Sequence, residues 1–344
     1  MALAVSRDYL NFQSDRIERV LASHRVPVRV HGGTVSPRWI RFHLTPAIGA
    51  KIATVRNLSE ELALALGAAD VRVARDGETL ALEVPRADAE PVRLLPMLRG
   101  MGNIPTLTAC AGLAEDGRPL MLKLNSPDVA HILVAGATGS GKTELIRSIV
   151  LSLAITNRQS KVQFALIDPK RRGLRGLGVM PHCLAPVAED PRAATTLLER
   201  LVGEMERRDR EGIDTPHIVV AVDELADLMM VGGKPVEIAL VRLVEIALVR
   251  LAQRGREAGI HLVAGVQKPS AAVIGGMLKA NFPVRLVGRV GSAEDARVAA
   301  GVSATGAERL LGRGDFMAVA AGQTVRFQAA WVPPVDWDMA LRRL

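Results

Sequence analysis

Residues 136–143 read Gly-Ala-Thr-Gly-Ser-Gly-Lys-Thr, the spacing G-x-x-x-x-G-K-T, and they constrain the chain more than any other stretch. A short apolar run from His131 leads into them. A helical pattern follows, with Leu145, Ile146, Ile149, Val150 and Leu153 as its apolar positions. Strand, glycine-rich loop and helix in that order make a phosphate-binding loop. Gly136, Gly139 and Gly141 tolerate positive φ and carry no Cβ, so the backbone can wrap an anion. Ala137, Thr138 and Ser140 complete the loop, whose N–H groups and following helix N-terminus face the phosphates. Lys142 is expected to reach the β- and γ-phosphates, and the Thr143 hydroxyl to meet Mg²⁺. ATP and Mg²⁺ are therefore the expected cofactors.

A second strand ends in carboxylates. His217-Ile-Val-Val-Ala-Val-Asp-Glu224 is an apolar run closed by Asp223 and Glu224. Beside a phosphate loop, Asp223 is expected to hold the Mg²⁺ shell through water. Glu224 is expected to polarise the attacking water, which must lose a proton as it reaches phosphorus. Gly265-Val-Gln267 ends a further strand, and the neutral Gln267 amide can touch both that water and the γ-phosphate. A small-molecule kinase would show Arg-rich lid segments and a substrate cleft, and neither is evident.

The pattern around these motifs alternates strand with helix. Strands are expected at 131–135, 162–167, 217–222, 260–266, 283–288 and 316–320. Helices are expected at 142–155, 191–208, 236–258, 270–279 and 293–300. That alternation implies an α/β fold with a mostly parallel sheet covered on both faces. The length of 344 residues favours two domains. Pro85, Pro91, Pro96 and Pro105 cluster with Gly100 and Gly102, so the boundary is placed near residue 95. Residues 1–95 then form a small α+β domain and residues 96–344 the ATPase domain. In the first, residues 13–24 read as an amphipathic helix capped by Ser14. Strands are expected at 26–30, 39–44, 71–74 and 79–84. Asp76-Gly77 marks a hairpin, and residues 59–65 read as a helix with Ser59, Glu60 and Glu61 at its positive end.

Composition narrows the class. Aromatics are 3% of residues, which argues against stacking platforms for single-stranded nucleic acid. A net charge of +8 suits a polyanionic partner. Cys110 and Cys183 lack metal spacing, and a reducing cytoplasm is the expected setting. The N-terminus does not read as a signal peptide, and no stretch reaches the ~18–20 apolar residues of a membrane span. One oddity remains: Val-Glu-Ile-Ala-Leu-Val-Arg-Leu occurs at 236–243 and again, unchanged, at 244–251. Eight helical residues add ~12 Å and turn a helix ~80° past two full turns. Either the helix is longer and partly buried elsewhere, or one copy bulges out.

Several words resemble the motor region of the FtsK/SpoIIIE family of DNA translocases. They are residues 136–143, Ile167-Asp-Pro-Lys170, Val222-Asp-Glu-Leu-Ala-Asp-Leu-Met-Met230, Arg250-Leu-Ala-Gln-Arg-Gly-Arg-Glu-Ala-Gly-Ile-His-Leu262, Lys279-Ala-Asn281 and Leu310-Leu-Gly-Arg-Gly-Asp315. Arg56-Asn-Leu-Ser59 extends the likeness into the first domain. The resemblance implies a RecA-like P-loop ATPase preceded by a small ring-stacking domain, assembled as a hexamer threaded by double-stranded DNA. It implies Gln267 as γ-phosphate sensor and Arg256 as an arginine finger acting on a neighbouring subunit. Arg254 and Arg285 are alternatives for that finger. It implies Lys268, Lys279 and Arg297 as DNA contacts.

The chain also departs from the family. The link between Glu204 and His217 is short. Gly265-Val-Gln-Lys-Pro-Ser270 stands where Ala-Thr-Gln-Arg-Pro-Ser is commoner, and Ala293 stands where a Lys is common. No winged-helix domain is expected after Leu344 and no membrane domain before Met1, which suits a stand-alone motor of a mobile element or phage. Two rival readings are a conjugation or export ATPase moving single-stranded DNA or protein, and an inactive DNA-binding scaffold.

Overall fold

The computed structural model describes residues 5–47, 49–76, 79–229, 235–268, 280–342 and 344. The chain divides into two compact units, Met1–Pro91 with Glu115–Arg118, and Val92–Ala114 with Pro119–Leu344.

The smaller unit sets α1 (Arg7–Ser23) and two short helices, α2 (Ile52–Asn57) and α3 (Ser59–Leu66), against an antiparallel sheet. Its strands are β1 (Val28–Val35), β2 (Trp39–Pro46), β3 (Arg72–Asp76) and β4 (Thr79–Pro85), in the order β1-β2-β4-β3. Ile17 and Leu21 of α1 pack with Phe42, Leu62 and Leu82 in one core. The expected cap moves: α1 begins earlier, with Ser6 Oγ accepting from Tyr9 N at 3.2 Å. Ser14 lies inside the helix and donates to the Leu10 carbonyl at 2.9 Å. Ser59 likewise sits at the first helical position and not at the cap, which is Leu58. Asp76 pairs with Thr79 across the β3–β4 hairpin.

In the larger unit, among the described residues, nine strands form one mixed sheet. Its parallel part runs β11 (Val284–Gly288), β7 (Ile132–Ala135), β10 (Ile260–Val266), β9 (His217–Val222), β8 (Val162–Ile167). An antiparallel extension continues from β11 through β12 (Asp315–Ala320), β13 (Gln323–Ala329), β5 (Thr108–Ala114) and β6 (Pro119–Lys123). Helices α5 (Lys142–Thr156) and α6 (Pro191–Glu211), with α8 (Pro235–Arg254), supply apolar faces to the two large cores of this unit. A short α4 (Leu94–Gly100) and α7 (Leu225–Met229) complete the elements used below. The sheet is thus parallel across five of the six strands that the alternation revealed; the sixth, expected at 316–320, is β12 and runs antiparallel to β11. β5, β6 and β13 carry no such signal. β5 is built of small residues, and Gly112 lets β13 come close: a Cβ there would stand 2.0 Å from the Gln328 carbonyl oxygen.

The repeated octads share one continuous helix, α8. Val244, Ala247, Leu248 and Leu251 of the second copy are buried in the core that also holds Leu198, Leu201 and Met205 of α6. Leu243, which holds in the first copy the place of Leu251 in the second, is 42% exposed, whereas Leu251 is 0% exposed. Ile246 is exposed too. The ~80° offset between copies produces this difference, since identical residues eight apart cannot share one face. α8 also ends at Arg254, short of the expected 258. Gly255 begins a turn there, and a Cβ on it would stand 2.3 Å from the Leu251 carbonyl oxygen. The expected helix at 270–279 lies outside the described residues.

Three histidines meet at the starts of β7, β9 and β10. His261 Nε2 lies 3.3 Å from His217 Nδ1, and His261 Nδ1 lies 3.1 Å from the Ala130 carbonyl oxygen. His131 Nδ1 accepts from Leu262 N at 3.0 Å, which puts its proton on Nε2. Burial, then the nearby Arg256 cation, hold His131 down to about 4. Burial, then His131, His217 and Arg256, hold His261 to about 3. Both rings are neutral.

Among the described residues no helix is long and apolar enough to cross a membrane.

Candidate functional site

The phosphate loop leaves the C-terminal end of β7 and enters α5. Gly139 and Gly141 have φ of +81° and +98°, the conformations that ask for glycine. Gly136 serves differently: a Cβ on it would meet Ser140 Oγ at 2.5 Å. Neighbouring backbone fixes the loop. Ala137 N donates to the Arg289 carbonyl at 2.8 Å, and Gly136 N to the Val266 carbonyl at 3.1 Å. Arg313 N and Gly314 N donate to the carbonyls of Gly139 and Ser140 at 2.9 and 2.7 Å. That last support belongs to the word Leu310-Leu-Gly-Arg-Gly-Asp315. A buried bidentate pair between Asp315 and Arg326, at 2.9 and 2.8 Å, holds it.

Strand order explains how the carboxylates reach the loop. β10 lies between β7 and β9, so Asp223 at the end of β9 stands one strand away from the phosphate loop. Thr143 Oγ1 donates to Asp223 Oδ1 at 2.7 Å. The Lys142 ammonium is 3.3 Å from Asp223 Oδ1 and 3.6 Å from Glu224 Oε2, and it also donates to the Asp223 carbonyl. Gly265 permits that last contact, since a Cβ there would stand 2.1 Å from the Asp223 carbonyl oxygen. The departure from Ala at this place is therefore matched to how closely β9 and β10 approach at the site.

Glu224 is buried at 1% exposure. Its Oε1 accepts from Gln267 N at 3.1 Å and from Ala226 N at 3.4 Å. Burial raises its pKa above the ordinary carboxylate value, against the opposing pull of the Lys142 cation. A carboxylate held in that state accepts a proton more readily than an exposed one. Gln267 is exposed, and with Ala137, Thr138, Lys268 and Asp295 it lines a cleft of about 290 Å³ beside the phosphate loop. Lys142, Thr143, Asp223, Glu224, Gln267 and Lys268 thus come together at the C-terminal ends of β7, β9 and β10.

The remaining candidates lie elsewhere. Arg256 is in the turn between α8 and β10, not on the helix as the periodicity suggested. It is exposed at the opposite end of β10 from Gln267. Among the described residues its guanidinium has no carboxylate partner, whereas Arg254 pairs with Asp209 at 2.6 Å. Arg285 is half-buried near the Phe282 carbonyl. Arg297 is exposed and paired with Glu294 at 2.6 Å, one turn away on the helix Ala293–Ala300. Lys279 lies outside the described residues.

Sequence reading missed the wall behind Asp223. The segment after β8 folds back so that Gly173 touches the Asp223 carboxylate: a Cβ on it would stand 2.5 Å from Oδ2. Asp168, at 0% exposure, accepts from Gly173 N and Leu174 N, both at 2.8 Å. Arg147 of α5 donates to the carbonyls of Gly173 and of Arg172, the latter at 2.7 Å. The only signals for this were the word Ile167-Asp-Pro-Lys170 and a cation one turn after Thr143.

Comparisons with known proteins agree with this geometry. Residues 105–215 and 209–271 match the FtsK/SpoIIIE family, and residues 2–86 match the FtsK alpha domain. The chain is 35% identical over 359 residues to a DNA translocase FtsK of Sporosarcina ureae, covering 94% of this chain and 44% of that one. It is 36% identical over 351 residues to DNA translocase SpoIIIE of Bacillus subtilis strain 168, covering 92% and 43%. It therefore spans less than half the length of either relative. Among solved structures, the pCW3 conjugation coupling protein TcpA with ATPγS aligns with a TM-score of 0.66 at 22% identity, covering 96% of this chain and 99% of that one. The cytoplasmic domain of the Thermomonospora curvata type VII secretion ATPase EccC aligns at 0.56 with 28% identity, covering 71% and 32%. The chain shares the fold of P-loop ATPases, and it belongs to the FtsK/SpoIIIE family.

Proposed function

We propose that this chain is an ATPase that moves along double-stranded DNA as a hexameric ring in the cytoplasm, hydrolysing ATP to ADP and phosphate where subunits meet. One observation carries the reading: Lys142, Thr143, Asp223 and Glu224 converge beside a phosphate loop, with the Gln267 strand inserted between. The loop amides and Lys142 bind the phosphates. Thr143 Oγ1 and Asp223 Oδ1, 2.7 Å apart, are oxygen donors suited to a hard dication. Bound there, Mg²⁺ would draw charge from the phosphate oxygens. Glu224 takes the proton of the attacking water, and Gln267 senses the γ-phosphate from the cleft side. Arg256 supplies a cation to the neighbouring subunit's phosphates.

Lys268 and Lys279, with Arg297, meet the DNA backbone, a contact that carries little sequence information. Residues 1–95 form the stacking domain of the ring and residues 96–344 the motor. The relatives named as DNA translocases support DNA as the track.

Likeness to a secretion ATPase favours one rival, export of protein or single-stranded DNA. Two measurements separate the readings. ATP hydrolysis should rise on adding duplex DNA, and a triplex-forming strand should be displaced from a duplex track in an ATP-dependent way. Stimulation by duplex DNA without displacement would favour the exporter. Binding without any hydrolysis would leave a scaffold.

A further inference from the structure

We infer that Arg147 is a positioning residue for the metal-side carboxylate, acting on Asp223 through the peptide of Gly173. The inference rests on Asp223 standing beside Mg²⁺, as proposed above.

The Asp223 carboxylate is held between two surfaces. On one side Thr143 Oγ1 donates to Oδ1 at 2.7 Å. On the other Gly173 stands so close to Oδ2 that a Cβ could not fit. Gly173 has no positive φ, so its backbone does not call for glycine. The space taken by Asp223 does. The wall is fixed from both ends of this residue. Asp168 Oδ2 holds the Gly173 N–H at 2.8 Å, and Arg147 Nε donates to the Gly173 carbonyl.

Arg147 is suited to this by geometry. Three of its donors diverge, to Gly173 O, to Arg172 O at 2.7 Å and to Glu144 Oε1 at 2.5 Å. Its guanidinium also lies over the Trp337 ring, 5.7 Å from the centroid, a cation–π contact. Only a planar, multi-donor cation spans two successive carbonyls in this way, and lysine cannot. Arg147 lies four residues after Thr143 on α5, so one helix sets both surfaces that hold Asp223. A shift of the Gly173 wall moves Oδ2, and with it the angle Asp223 presents to the metal shell.

Partners of this outer kind typically alter metal affinity by about 10–100-fold. The test uses the full chain loaded with a non-hydrolysable ATP analogue, with Mn²⁺ as probe read by electron paramagnetic resonance. Arg147→Gln and Gly173→Ala should each weaken Mn²⁺ binding about tenfold. Arg147→Lys should fall between them and the wild type. Affinity for a fluorescent nucleotide in EDTA should stay within about twofold, since phosphate contacts are elsewhere. Should Gly173→Ala not fold, the Arg147→Gln and Arg147→Lys pair decides alone. Folded variants with wild-type Mn²⁺ affinity overturn the inference. Equal losses of nucleotide affinity with and without metal do so as well, since they mark a general disturbance. Wild-type protein that retains no Mn²⁺ beside the nucleotide removes the metal reading of Asp223 and this inference with it.

Discussion

Arg256→Ala offers the sharpest test of hydrolysis between subunits. Arg256 precedes β10 and Gln267 follows it, so the two are separated by the seven residues Ile260–Val266 and the turn before them. At about 3.3 Å per residue the strand alone spans ~23 Å. Arg256 is therefore far beyond reach of its own phosphate loop, and any part it has in hydrolysis is played on another subunit. A finger of this kind is worth roughly 10³–10⁵ in turnover, the scale expected to be lost here. Nucleotide binding and ring formation on DNA should persist. Mixing Arg256→Ala with Lys142→Ala protein should restore activity. In a randomly mixed one-to-one ring, roughly a quarter of head-to-tail interfaces pair an intact loop with an intact arginine. The assay is steady-state ATP turnover with DNA, alone and mixed, with subunit exchange followed by fluorescence. Normal turnover by Arg256→Ala, or no rescue while subunits demonstrably exchange, would mean that Arg256 takes no part in hydrolysis.

Four further outcomes are expected. Glu224→Gln should bind ATP and lose turnover about 100-fold or more; because burial raises the Glu224 pKa, the acid limb of the wild-type pH–rate profile should lie above the ordinary carboxylate range. Lys268→Ala with Lys279→Ala should weaken binding to all duplexes alike and lower the salt slope by about 1.8, whereas an unchanged slope moves the DNA path elsewhere. His131 and His261 have depressed pKa values, so the stability they give is complete above about pH 6.5 and is lost as pH falls toward 4 and 3. At pH 5 the His131 contribution falls by about 2 kcal/mol, and denaturant melts should show a shallower acid loss in His131→Gln. Deleting residues 244–251 should leave the α6 contact intact, because an identical octad takes its place; the packing of Leu243 in its own present site, 42% exposed, is worth about 2 kcal/mol at most. A larger fall in melting temperature than that caused by Leu251→Ala would contradict this.

The parts of the site that chemistry forces into a fixed spacing were legible in the sequence. A phosphate loop needs its glycines and its Lys-Thr in order, and parallel strands buried on both faces read as apolar runs. The strand order β7-β10-β9 was not legible, since β10 follows both motifs in the chain and enters the sheet between them. Where local pattern says little, the reading stopped. β5 is made of small residues that alternate with nothing, and the start of β13 is polar. The end of α8 depended on the backbone fit of Gly255 against Leu251 and Ile260, which no periodicity carries. Ser14 looked like a cap because Ser caps helices, but the chain was already helical from Arg7. The wall behind Asp223 left only two faint signals, because Arg147 and Asp168 act on backbone carbonyls and amides, whose identity no side-chain spacing encodes.

The two octads of α8 also bear on how this chain is matched to others. Against a sequence with one copy, either octad aligns equally well, so similarity alone leaves the gap undetermined. Burial breaks the tie. Val244, Ala247, Leu248 and Leu251 face α6, and Arg254 and Gly255 tie the helix end to its surroundings. The counterpart of a lone octad is therefore the second, and the inserted residues lie before Val244. Every position from Val244 onward keeps its structural address, Arg256 included. A role transferred instead to the first copy lands ~12 Å and ~80° from the place it belongs.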